Sequence, residues 1–150
     1  MTGRRCSADE VVAIARSWIG TPYLHQASCR GAGTDCLGLL RGIWRTLYGS
    51  EPEAVPPYTA DWCEPTGREA LLEGAGRHLR RIAPEQKAPG DVLVFRMLDR
   101  GPAKHVGILA RRDDIETVIH AYSGRAVCES PLGAAWRRRI AGVFRFPGIE

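Results

Sequence analysis

The chain has 150 residues, with 21 Lys and Arg against 17 Asp and Glu, a formal net charge of +4. Its 44% apolar and 25% charged residues suit one ordinary globular domain, so residues 1–150 are read as a single unit. With 17 Gly and 10 Pro the chain is richer in both than a helical bundle, and collagen-like, coiled-coil and disordered readings are excluded.

No apolar run approaches the about 18 residues that would cross a membrane, so membrane insertion is not expected. Met1–Glu10 carries Arg4 and Arg5 without an apolar stretch after them, unlike a secretory signal. The expectation is synthesis in the cytoplasm, with delivery elsewhere left to another component. The five cysteines (Cys6, Cys29, Cys36, Cys63 and Cys128) contain no CxxC pair, which argues against zinc-ribbon, thioredoxin and disulfide-scaffold readings.

Ser7–Trp18 reads as a helix with an apolar face of Val11, Val12, Ile14, Ala15 and Trp18, capped by Ser7 or Asp9 and ended by Gly20-Thr21-Pro22. Tyr23–Thr34 reads as a loop. Asp35–Tyr48 reads as a second helix, stopped by Gly49, apolar on nearly all sides and therefore central and largely buried. Glu51–Pro65 is a Pro-rich excursion, and Thr66–Arg80 a surface helix with Leu71, Leu72 and Leu79 inside. After Pro89-Gly90 come short strand-like runs: Asp91–Leu98, His105–Arg111, Glu116–Tyr122, Ala126–Glu129 and Ile140–Phe146. Helices first and strands afterwards give an α+β class.

Cys36 opens the second helix behind Asp35, a good N-cap residue. A helix start favours a thiolate, so Cys36 is the candidate nucleophile, although a small core residue would look the same. Gly38 and Gly42, four apart on that helix, would let a sheet approach closely. A nucleophilic Cys needs a base. His78 lies between arginines on the surface helix, and His25 sits in the preceding loop in a substrate-side or structural role. His105 and His120 fall in adjacent strands. A hairpin about Asp113-Asp114 pairs Arg111 with Glu116 and sets His120 opposite Gly107. Both imidazoles then share one face, with Gly107 leaving space between them. A Cys-bearing helix could cover that face. The alternative is that both are ordinary strand histidines, and a one-residue slip would separate them.

Five motifs come in order: Gly20-Thr21-Pro22-Tyr23, Asp35-Cys36-Leu37-Gly38-Leu39-Leu40, Pro89-Gly90-Asp91-Val92-Leu93-Val94-Phe95, His105-Val106-Gly107-Ile108 and Ile119-His120-Ala121. Together they resemble the NlpC/P60 cysteine peptidases over roughly residues 8–146 of the chain. The loop His25–Gly33 and the Leu39-Leu40-Arg41-Gly42-Ile43-Trp44 stretch are similar to the variety encoded among phage tail genes and in gene transfer agents. The resemblance implies a papain-like α+β fold, with N-terminal helices packed on an antiparallel β-sheet. It implies Cys36 as nucleophile, His105 as general base and His120 as the third residue, orienting His105. Tyr23 and Asp35 would serve substrate and oxyanion, Tyr23 with its hydroxyl near the thiol and Asp35 toward the free amine of a muropeptide.

The implied activity is hydrolysis of stem-peptide amide bonds in peptidoglycan, often beside a γ-linked D-glutamate, by a thiolate–imidazolium pair, with no metal and no cofactor. The backbone N–H of Cys36 is an expected oxyanion donor. Implied partners are cell-wall stem peptides and the hub or baseplate proteins of a phage-like tail, with action in the periplasm or cell wall as part of such a particle. Two departures bear on the cleft: Leu37 stands where the family commonly has Ser, and His25–Gly33 replaces a Gly-Gly. Arginine supplies 19 of the 21 cations, which suits a solvated surface, capture of carboxylates or docking to an acidic protein, while no nucleic-acid platform is evident. Two other readings stay open: a docking tail subunit with a vestigial or occluded site, and an acyltransferase or amidase on the same chemistry.

Overall fold

The computed structural model describes residues 6–53, 69–98, 101–122 and 124–149. Helix α1 (Ala8–Arg16) starts where the Ser7 side chain accepts from the Glu10 N–H, and it buries Val11, Val12 and Ala15. The stretch 23–34, read as a loop, contains a small hairpin of β1 (Ser28–Cys29) and β2 (Gly33–Thr34). Helix α2 (Cys36–Tyr48) follows, capped by Asp35 and ended at Gly49, whose φ is +92°. It buries only the stripe Gly38, Leu39, Gly42, Ile43 and Leu47, so it is more one-sided than its composition suggests. The glycines on that stripe serve closer neighbours than the sheet. A Cβ on Gly38 would meet the Ala27 carbonyl oxygen at 1.9 Å, and one on Gly42 would meet the Trp18 ring at 2.1 Å.

Helix α3 (Ala70–His78) is shorter than the reading Thr66–Arg80. Residues 66–68, like most of the Pro-rich excursion, lie outside the described residues. The far end of that reading instead forms strand β3 (Arg80–Ile82), which a three-residue run with two arginines does not signal. Such charges suit a sheet edge, which β3 is. The remaining strands are β4 (Val92–Arg96), β5 (Ala103–Arg112), β6 (Ile115–His120), β7 (Cys128–Pro131) and β8 (Ile140–Arg145). A short helix α4 (Ala134–Arg138) lies between β7 and β8, in a stretch for which the sequence predicts no element.

The six long strands form one antiparallel sheet in the order β3-β8-β4-β5-β6-β7. The hairpin register is the expected one, with Arg111 opposite Glu116 and Ile108 opposite Ile119. Asp113 and Asp114 take φ of +50° and +68°, as a two-residue hairpin turn of the I′ kind requires. Alternation then divides the sheet into two faces. Val92, Val94, Val106, Ile108, Ala110, Ile119 and Phe144 pack with α1 and α2. Leu93, Phe95, Leu109, Val118 and Val143 pack on the other side with Leu132 and Trp136. The result is the mixed α+β arrangement expected, helices on an antiparallel sheet. Among the described residues no helix is long and apolar enough to cross a membrane.

Candidate active site

Asp35 fixes the start of α2. One carboxylate oxygen accepts from the Gly38 N–H at 2.8 Å and the other from the Gln26 N–H at 2.7 Å. The same carboxylate therefore caps the helix and ties down the loop before it. That places Cys36 at the first helical position, against strand β5. Its Sγ lies 4.0 Å from the Lys104 carbonyl oxygen, and the Val106 N–H also points at it.

The sheet explains why those backbone groups face the thiol. Leu109 turns its N–H and carbonyl toward the start of β4, to Asp91 and Gly90. Backbone direction alternates, so Val106 faces the β6 side. The pairing with β6 begins only at Ile108 and Ile119, which leaves the Val106 N–H without a ladder partner there. Lys104 is the extra residue of a bulge, since Phe95 opposes His105 while Arg96 opposes Ala103. The thiol thus sits at an opening in the sheet, where the ladder with β6 stops and β5 bulges.

The two imidazoles share a face and lie together, as the register required. His105 Nε2 is 2.8 Å from His120 Nδ1, and both residues are at most 5% exposed. Gly107 is the space that allows it, because a Cβ there would lie 2.6 Å from Val118 Cγ2 and 3.1 Å from His120 Cβ. The face is the one away from α2, which corrects the expectation that the Cys-bearing helix covers it. Trp136 of α4 covers it instead, with its ring centroid 5.5 Å from that of His105 and 5.1 Å from that of His120. Phe95 and Tyr122 complete an aromatic wall around His105. The thiol reaches strand β5 at its edge, and the imidazoles stand on the far side.

Electrostatics follow from enclosure. Burial pushes the Cys36 thiol up to about 12, and the Asp35 carboxylate adds to the rise. The N–H groups of Val106, Leu37 and Cys36 pull the other way without prevailing. Burial brings His105 down to about 3, with the charge of His120 acting in the same sense, and burial brings His120 to about 4. Enclosure therefore opposes the thiolate that the helix start favours, at a residue that is itself half-buried. Main-chain donors for an anion are present, and enclosure works against them on the thiol as it works against a charge on either imidazole.

Tyr23 makes a bridge to Thr34 and packs, half-buried, against the same core cluster as Cys36. Exposed His25 stands beside the site's foundation, its Nδ1 3.9 Å from Asp35. His78 is not simply solvated, because its Nε2 meets Glu53 at 2.9 Å. Asp91 anchors the strand before the bulge, accepting two bonds from Arg145 at 2.7 and 2.9 Å and one from the Ala88 N–H. Three participants were missed in the sequence: the bulge at Lys104, Trp136, and Ser130, whose Oγ lies 3.3 Å from His120 Nε2. Ser130 lay one residue beyond the predicted strand Ala126–Glu129, and β7 runs through it to Pro131. Among the described residues no group of three His, Cys, Asp or Glu side chains is placed to hold a metal ion.

Known proteins share this fold. The chain is 27% identical over 153 residues to a gamma-DL-glutamyl hydrolase of Bacillus subtilis, an alignment covering 97% of this chain. It spans only 32%, about a third, of that relative. Among solved structures, an NlpC/P60 family protein from Bacillus cereus superposes with a TM-score of 0.66 at 20% identity, over 95% of this chain and 41% of that one. The NlpC/p60 domain of the peptidoglycan hydrolase SagA superposes with a TM-score of 0.60 at 21% identity, over 93% of this chain and 98% of that domain. These likenesses show the fold. The pattern of the NlpC/P60 family matches residues 20–145, most of the chain including Cys36, His105 and His120, and the chain belongs to that family.

Proposed function

We propose that the protein is a cysteine peptidase of cell-wall peptides, cleaving a stem-peptide amide bond of peptidoglycan with Cys36 as nucleophile and His105 as base. The observation that carries this reading is the thiol seated at the opening of β5, flanked by residues 104 and 106, while His105 between them belongs to a buried imidazole pair. One ring nitrogen of His105, Nε2, is engaged by His120, which leaves Nδ1 for the thiol proton. Enclosure favours the neutral forms of both groups, so the proton moves from Sγ to Nδ1 as Sγ bonds to the scissile carbonyl carbon. The carbonyl oxygen becomes an oxyanion facing main-chain N–H groups at the α2 start. The carbon–nitrogen bond then breaks, and the amine leaves with the proton from His105. Water attacks the thioester as its proton passes to Nδ1, the carbon–sulfur bond breaks to release the carboxylic acid, and Sγ takes the proton back from Nδ1.

A γ-linked D-glutamyl amide is the proposed bond class. The gamma-DL-glutamyl hydrolase among the relatives supports it. Tyr23 and Asp35 are proposed to flank the substrate, Asp35 chiefly by holding the loop that shapes the cleft. Delivery by a phage-like tail, with its hub or baseplate as partner and the cell wall as place of action, is proposed on the likeness of residues 25–33 and 39–44 to the phage-encoded variety. The test is incubation of the protein with purified peptidoglycan, with released muropeptides analysed by mass spectrometry. New stem-peptide fragments are expected from the wild type, and Cys36→Ala should lower their rate by at least about 10^4-fold. Identical wild-type and Cys36→Ala profiles would instead favour a docking subunit with an unused site.

A further inference from the structure

We propose that Ser130 is a positioning residue, which fixes the proton arrangement of the two imidazoles by accepting a hydrogen bond from His120. The inference rests on the peptidase reading, because only a base at His105 makes the arrangement consequential. The three groups form a line: His105 Nε2 to His120 Nδ1 at 2.8 Å, then His120 Nε2 to Ser130 Oγ at 3.3 Å.

A neutral imidazole carries one ring hydrogen, so each bond in the line sets the direction of the next. For His105 Nδ1 to take the thiol proton, its own ring hydrogen must be on Nε2. That hydrogen is donated to His120 Nδ1. His120 then carries its hydrogen on Nε2 and donates it to Ser130 Oγ. The reverse direction is equally complete but inactive. A Ser130 hydroxyl donating to His120 Nε2 puts the His120 hydrogen on Nδ1, hands it to His105 Nε2, and leaves a hydrogen on Nδ1 of His105. That nitrogen cannot accept a proton. An acceptor at Ser130 selects the first direction.

The fold delivers Ser130 by strand alternation. On β7, Cys128 opposes His120 and Ser130 opposes Val118, so Ser130 is the diagonal neighbour of His120 on its own face. Glu129 between them turns to the other side, where it meets Arg16, Arg112 and Thr117. Burial works to raise the Glu129 carboxyl, and the hydrogen bonds from those three residues overcome it, holding it at about 2. This anchored ion cluster keeps β7 in register. Ser130 is half-buried, so water can receive its hydroxyl hydrogen when Oγ acts as acceptor.

The experiment combines imidazole 15N NMR with steady-state kinetics on a soluble stem peptide containing γ-linked D-glutamate. In the wild type His105 and His120 should both carry hydrogen on Nε2. Ser130→Ala should shift His120 toward a mixture of the two forms and lower kcat roughly 3- to 10-fold, the size of one neutral hydrogen bond, with KM unchanged. Ser130→Thr should restore both. A wild-type His120 with hydrogen on Nδ1, a Ser130→Ala spectrum identical to wild type, or an unaltered kcat would overturn the proposal. If the wild type cleaves no stem peptide, the peptidase reading fails, and the spectra still decide whether Ser130 sets the proton arrangement.

Discussion

The two halves of the candidate site are built by different means. The thiol half is made of main chain: a helix start, an interrupted ladder and a bulge bring N–H and carbonyl groups to Cys36. The imidazole half is made of side chains: a glycine gap, a register and a Trp lid hold His105 against His120. The halves meet across strand β5, one at its edge and the other on its far face. Main-chain construction is tolerant of side-chain identity, whereas the imidazole half depends on a few side chains having the right size. Substitutions should therefore disturb the second half more readily than the first, apart from Cys36 itself.

Gly107→Val is the strongest test of that difference. Its side chain would enter space already held by Val118 and His120, and β5 and β6 pair closely there. Separating the imidazoles should lower activity by about 10- to 100-fold, and overpacking should cost about 1–3 kcal/mol of stability. Thermal unfolding and muropeptide release measured on one preparation check both. An active, fully stable Gly107→Val would show that the pair does not depend on the gap.

The imidazole half was also the half most legible in the sequence. Two turn residues, Asp113 and Asp114, fixed the register of β5 and β6, and a period of two then placed both histidines on one face. That argument needs only local pairing. What covers the face comes from residue 136, brought over the sheet by the connection between β7 and β8, and no local pattern announces it. The thiol half was legible only in part. Asp35 signalled the helix start, and the cap is there with both carboxylate oxygens in use. A helix start argues for a thiolate at Cys36, while the enclosure that opposes it is a tertiary property with no local signature. The bulge at Lys104 likewise depends on how β4 meets β5.

Acid should act on the imidazole half first. Both imidazoles have folded values, about 3 and about 4, below the ordinary 6.5. Between those values and 6.5 the unfolded chain binds more protons, so stability rises with pH and is lost as pH falls through that window. Each imidazole adds at most about 1.4 kcal/mol per pH unit to the slope. Glu129 works in the same sense but lower, between about 2 and its ordinary 4.5. Urea unfolding between pH 6.5 and 4.5 isolates the histidines. The wild type should weaken steadily there, and a His105→Gln, His120→Gln double variant should show a much flatter profile. Equal slopes would mean that the imidazoles are not held neutral by the fold.

The thiol half should respond to charge more gently. Asp35 is almost wholly buried and its carboxylate raises the Cys36 thiol, second only to enclosure itself. Asp35→Asn removes the charge and keeps one oxygen to cap the Gly38 N–H. It gives up the oxygen that accepts from Gln26, so the loop before the helix should loosen at that point. Enclosure remains, and the thiol should still titrate above its ordinary 9.0, but lower than in the wild type. Iodoacetamide labelling of Cys36 against pH, followed by mass spectrometry of its peptide, reads this directly. The labelling midpoint should move to lower pH in Asp35→Asn, with a rate gain of less than about tenfold near pH 8. A midpoint unchanged by the substitution would assign the high thiol value to enclosure alone. A wild-type Cys36 that labels faster than Cys29 near neutral pH would show a resting thiolate, and would return the main-chain donors of α2 and Val106 to the controlling role.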